Sequence, residues 1–159
     1  MASRPRRSDA ASVVSRLSGP GRSDLARFLI RQRWFAAKAR GIGTLAVRDW
    51  AALDADGPLV LLLLDVDDDR YYVPVTVAPD AVARDPLARL DGLAVIDAHD
   101  DPRFGRRLLA AIGADLAVAG HAGRFLFRST PALAAPPALE ALPVRRHTGE
   151  QRNTSLHLG

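Results

Sequence analysis

Apolar residues fall at Ala10, Val13, Val14 and Leu17, a helical spacing that stops at Ser18-Gly19-Pro20-Gly21. A second helix is expected from Ser23, a good N-cap residue. Leu25, Phe28, Leu29 and Trp34 continue the period through Phe35, with the end near 36–41. The period then changes. Residues 43–53 partly alternate through Leu45, Val47 and Asp49 and read as a strand. Residues 58–65 form an unbroken apolar run, as a strand buried on both faces would. Residues 70–77 read as its hairpin partner across Asp67-Asp68-Asp69, whose acidic tip is expected in solvent. Pro74 implies that the pairing of this strand is interrupted or lies near an edge.

Further along, residues 93–97 form a short apolar strand, and Asp101-Pro102 opens a helix with Phe104, Leu108, Leu109 and Ile112 on its apolar face and Gly113 at its close. Residues 123–128 read as a strand with Phe125 and Phe127 on one face. Residues 131–143 are rich in Pro and Ala and read as a linker. Residues 144–158 read as strand, turn and strand. Two helices followed by a strand meander with an inserted helix predict an α+β domain built on an antiparallel sheet.

At 159 residues, 48% hydrophobic and 25% charged, the chain can build one globular core, mainly from Leu, Val and Ala because aromatics are only 6%. The absence of cysteine excludes disulfides and thiolate metal sites and fits a cytoplasmic location. No apolar run reaches membrane-spanning length, and the basic start at Arg4, Arg6 and Arg7 is followed by no apolar core of a secretory signal, so it reads as a mobile tail. A formal charge of +4 raises nucleic acid as a partner. The arginines, however, are spread along the chain among aspartates rather than gathered on one element, so neither a nucleic-acid nor a membrane partner is expected.

Familiar catalytic constellations are missing: there is no Walker A loop, no GxSxG elbow and no HExxH. His99, His121, His147 and His157 lack metal-like spacing, so no metal site is expected. Asp67-Asp68-Asp69 lacks the glycine and downstream glutamate of a calcium loop. His99 with Asp100 and Asp101 could form a carboxylate site, although Asp101 serves equally as a helix N-cap. Two segments stand out. Gln32-Arg33-Trp34-Phe35 leads to Lys38, the sole lysine among 22 basic residues, and to Arg40. Lysine is a compact point charge and arginine a planar fork, so Lys38 marks either a place where a fork does not fit or a chance survivor. The second segment, Glu150-Gln151-Arg152-Asn153-Thr154-Ser155, sets hydroxyl and amide side chains in the turn between the last two strands. Such a turn can be a phosphate-holding nest or an ordinary polar turn.

Together these segments resemble one family, the N-terminal cap domain of bacterial maltokinases. The same region recurs in trehalose synthase–maltokinase fusions and in related actinobacterial glucosamine kinases. The family pattern is close to QRWFGGKGR, matched here by Gln32, Arg33, Trp34, Phe35, Lys38 and Arg40, with Ala36, Ala37 and Ala39 replacing glycines. The terminal segment resembles the family's EQSNTS, with Arg152 replacing the serine. The tyrosine-and-proline stretch at Tyr72–Val75 is also similar.

The resemblance implies a tail and first helix over 1–20, a cap of antiparallel sheet and helices over 21–130, a linker over 131–143 and the start of a protein-kinase-like N-lobe over 144–159. It implies that the complete enzyme moves the ATP γ-phosphoryl group to the anomeric hydroxyl of maltose, using ATP and Mg2+, and that maltose 1-phosphate feeds α-glucan synthesis. The segment 150–155 would be the phosphate-covering loop. Gln32, Arg33, Trp34, Phe35, Lys38 and Arg40 would serve the cap's architecture or its contact with the lobe. No catalytic residue is expected here, because the kinase lysine, the catalytic aspartate and the metal-binding aspartate of that family lie beyond Gly159, so these residues alone are expected not to phosphorylate sugar. The implied partner is the kinase lobe, in cis or in trans, with trehalose synthase or another glucan-pathway enzyme as a further candidate. The alternatives are a stand-alone, non-catalytic cap module and the cap of a glucosamine kinase.

Overall fold

The computed structural model describes residues 10–54, 58–133, 138, 141–147 and 154–159. Helix α1 (Ala10–Ser18) buries Val13, Val14 and Leu17, as their spacing predicts. Helix α2 (Arg22–Arg31) does not start on the Ser23 cap. Gly21 is its N-cap, and no side chain caps it. The turn between the helices decides this. The Gly21 N–H donates to the Arg16 carbonyl at 2.7 Å, and a Cβ on Gly21 would sit 2.9 Å from that oxygen and 3.1 Å from Ala88 Cβ.

Helix α2 also ends earlier than its apolar period suggests. Gln32 is extended at φ −73°, ψ 137°, so Trp34 and Phe35 sit in the turns that follow rather than on the helix. The Gln32 Nε2 donates to the Phe28 carbonyl at 3.1 Å and covers one of the orphaned acceptors of the last turn. The chain is then free to fold Phe35 beneath the sheet, where it is 2% exposed. Burial of a Phe ring is worth roughly 2–3 kcal/mol, more than the one or two helical bonds given up.

The sheet contains β1 (Leu45–Ala52), β2 (Val60–Val66), β3 (Asp69–Pro79), β4 (Ala88–Leu90) and β5 (Leu93–Asp97) in the order β1-β2-β3-β5-β4, every pair antiparallel. The fold is the expected α+β arrangement. The unbroken apolar run of β2 is explained by two cores. Val60, Leu62, Leu64 and Val66 face α1 and α2, while Leu61 and the adjacent Leu59 face Phe104 and Ala98 on the other side. The short β4 carries too few residues to show a period and was not expected.

The Asp67–Asp69 tip is exposed, and it is also bonded internally. Asp67 adopts a left-handed φ of 51°, and its carboxylate accepts the backbone N–H of Gly43 at 3.1 Å and of Thr44 at 2.7 Å. Pro74 lies opposite Leu61, and the ladder from β3 to β5 begins one residue later at Val75↔Asp97. The proline therefore sits where β3 has no partner strand on that side among the described residues, and its missing N–H costs no ladder bond.

On the second face, α3 (Pro102–Gly113) starts at its expected cap, with the Asp101 carboxylate accepting the Arg103 N–H at 2.9 Å. The helix ends at Gly113, as expected, although the left-handed conformation belongs to Asp115, at φ 47°. Two small antiparallel pairs complete the elements among the described residues: β6 (Ala117–Ala119) with β7 (Arg124–Leu126), and β8 (Val144–Arg146) with β9 (Leu156–Leu158). Phe125, Phe127 and Leu156 pack on the Phe104 core.

Candidate functional site

The segment following α2 separates into two sets of side chains. Phe35 is buried and Trp34 partly buried, and both pack on Tyr71 of β3 with ring centroids 5.0 Å and 5.9 Å away. They are core anchors of the sheet's first face. Gln32 holds the end of α2. The cations point outward. Arg40 is 3.7 Å from Asp69 at the hairpin tip, whereas Arg33 and Lys38 are exposed and make no hydrogen bond or ion pair among the described residues. Lys38 is therefore an outward-facing charge of the motif rather than part of a buried site.

Of the terminal motif, Glu150, Gln151, Arg152 and Asn153 lie outside the described residues. Thr154 and Ser155 lead into β9, and the Ser155 carbonyl accepts the His147 N–H at 2.9 Å. The short pair β8–β9 rests against α3 and the turn before it. Arg106 Nε donates to the Leu142 carbonyl at 3.0 Å. The two surfaces meet closely at Gly105, because a Cβ there would lie 2.8 Å from Val144 Cγ1 and 3.4 Å from Leu156 Cδ1.

At this seam four polar side chains cluster. Asp97, at the end of β5 and 7% exposed, accepts the His99 backbone N–H at 3.0 Å, and its carboxylate oxygen lies 2.6 Å from His99 Nδ1. From β8, Arg146 Nη1 lies 3.2 Å from Asp97 and 2.9 Å from Asp100. Burial opposes the Asp97 charge, but the His99 contacts and then the Arg146 guanidinium outweigh it, so its pKa sits below the ordinary carboxylate value. Burial likewise works against the Arg146 charge, and Asp100 and Asp97 more than offset it, so the guanidinium stays firmly protonated. Asp101 serves as a cap, as expected, and Asp97 and Asp100 are drawn into ion pairs with Arg146 instead of the carboxylate site that sequence raised beside that cap.

Above the seam a concavity of about 470 Å³ joins the two sequence motifs. Trp34, Tyr71, Tyr72 and Pro74 line one part of it, His99, Phe104 and Leu108 another, and Thr154 its rim. The open edge of β3 borders this space, and Tyr72 is 44% exposed there. Aromatic faces beside a half-buried Asp–Arg pair suit contact with a flat or polar surface laid over the edge. Among the described residues no group of three or more His, Asp or Glu side chains is placed to hold a metal ion.

Sequence reasoning missed the anchoring role of Asp49. A bulge at Arg48 in β1 turns this carboxylate inward, where it is 8% exposed and accepts the N–H of Trp50 and of Ala122, each at 2.8 Å. Burial raises its pKa, but the backbone donors of Ala122, Trp50, His121 and Gly123 together outweigh that and hold it below the ordinary value. The signal in sequence was one aspartate inside an alternating strand. Arg146 was missed as well, because its partners lie far away along the chain.

No curated protein matches the chain. Residues 28–111, more than half of it, match the family model of the maltokinase N-terminal cap domain, a span that holds the Gln32–Arg40 motif, the five-stranded sheet and most of α3. The chain therefore belongs to the maltokinase N-terminal cap family.

Proposed function

We propose that the chain is the cap portion of an ATP-dependent sugar kinase, and that its sheet and α3 form a platform holding the β8–β9 pair, the first strands of a kinase N-lobe. The observation that supports this reading most directly is Arg146 of β8 spanning Asp97 and Asp100 of the cap, with Val144 seated on Gly105. This contact sets the position of Thr154 and Ser155 relative to the sheet, and residues 150–155 would screen the phosphates of ATP in the assembled enzyme. The reaction so assembled is phosphoryl transfer from ATP to the anomeric hydroxyl of maltose, with maltose 1-phosphate entering α-glucan synthesis. ATP with Mg2+ supplies the phosphoryl group there. The residues described here orient strands. The exposed Arg33 and Lys38 are charges available to the lobe or to another enzyme of glucan metabolism.

The test mixes the purified chain with the catalytic lobe of a maltokinase that lacks its own cap. Complex formation with recovery of maltose 1-phosphate synthesis is expected, and both are expected to fall when Arg146 is replaced by Ala. A lobe that neither binds the chain nor gains activity from it would overturn the proposal. A chain that binds the lobe without raising its activity would support a non-catalytic interaction module in its place.

A further inference from the structure

His147 and His157 lie on one exposed face of the β8–β9 pair. Arg145 is paired with His157 in register, and His147 bonds to Ser155, so the two histidines are diagonal neighbours across the strands. Diagonal positions place long side chains within reach of each other. Here the reach is realised: His157 Nε2 and His147 Nδ1 are 3.2 Å apart, with ring centroids at 5.2 Å and planes inclined by 33°.

We propose that these two imidazoles chelate one divalent transition ion, Zn2+, Cu2+ or Ni2+, through His147 Nδ1 and His157 Nε2. The nitrogen separation carries the argument. A metal about 2.0–2.1 Å from each nitrogen would subtend an angle of roughly 100°, between octahedral and tetrahedral values. Imidazole nitrogens select ions of this borderline class over Mg2+ or Ca2+, which prefer oxygen. Water completes the coordination, because no third protein donor gathers there among the described residues. Arg145, exposed and opposite His157, repels a dication.

The two ligands flank residues 148–156, so a bound ion ties β8 to β9 at the base of the segment that resembles a phosphate loop. This role does not depend on the sugar-kinase reading. The other two histidines are committed elsewhere, His99 to Asp97 and His121 to stacking on Trp50 at 5.9 Å.

The experiment titrates the untagged full chain with Zn2+ and, separately, Ni2+ by calorimetry at neutral pH. One ion per chain is expected. His147→Asn and His157→Asn should each weaken binding more than about tenfold, since a single imidazole remains. His121→Asn should leave it unchanged, and Arg145→Gln should tighten it. Zn2+ should also slow amide exchange of His147, whose N–H bonds to Ser155. Circular dichroism checks that the exposed-residue variants remain folded. Binding that survives in the double variant His147→Asn with His157→Asn, or no binding by the parent chain, would overturn the assignment.

Discussion

Arg146 of β8 and Asp97 of β5 meet at 3.2 Å, joining the last strand pair to the sheet through a carboxylate that is 7% exposed. Replacing Arg146 with Ala leaves that buried charge with His99 alone. Because the arginine is 31% exposed, the loss should fall between that of a surface pair and a buried one, about 1–2 kcal/mol. Urea unfolding gives the magnitude, and amide exchange should show the loss concentrated in β8 and β9. Unchanged protection there would mean that apolar contacts alone hold the pair.

Acid should loosen the same seam. Asp97 has a folded pKa below the ordinary aspartate value of 3.8, so in the interval between the folded and unfolded values the unfolded chain binds more protons. The contribution of Asp97 is therefore complete above about 3.8 and is lost as pH falls through the folded pKa. In Asp97→Asn this part of the acid dependence disappears, and stability measured between pH 5 and about 2.5 should fall less steeply than in the parent. Equal slopes would sink the prediction.

Steric fit at Gly105 should be visible as a coupling. Ala is a better helix residue than Gly by roughly 1 kcal/mol, yet its Cβ would meet Val144 Cγ1 at 2.8 Å. Gly105→Ala is expected to destabilise the parent and to stabilise a chain that already carries Val144→Ala. A double-mutant cycle in denaturant measures this sign reversal, and additive effects would show that the close approach carries no energy.

Asp49 holds the turn between β6 and β7. Asp49→Ala strips the Ala122 N–H of its acceptor and should cost about 1–3 kcal/mol. Gly120→Ala should be destabilising too, since its Cβ would lie 2.8 Å from Asp49 Oδ2. Thermal unfolding of both variants, with amide exchange at Ala122, checks that they act on one turn.

The family motif should divide in the same way that its side chains do. Phe35→Ala, at a site 2% exposed, is expected to cost about 3–5 kcal/mol. Lys38→Arg, exposed and without a partner among the described residues, should change stability by less than about 0.5 kcal/mol. A large loss from Lys38→Arg would place the lysine inside the cap's architecture.

Local patterns made much of the fold legible. The periods of α1 and β2 and the Asp101 cap are short-range signals, each decided by neighbours within a turn or a strand. The family, too, could be read from Gln32–Arg40, because a short motif is legible without knowledge of distant contacts. Tertiary structure decided the rest. A 3.6-residue period continued through Trp34 and Phe35, but burial against Tyr71 ended α2 at Arg31, since packing outweighs the few bonds at a helix terminus. Asp97, Arg146 and Gly105 look unremarkable in one dimension. Their roles arise from contacts between segments distant in sequence, and no local period or propensity encodes which charge another strand will bring to a buried carboxylate.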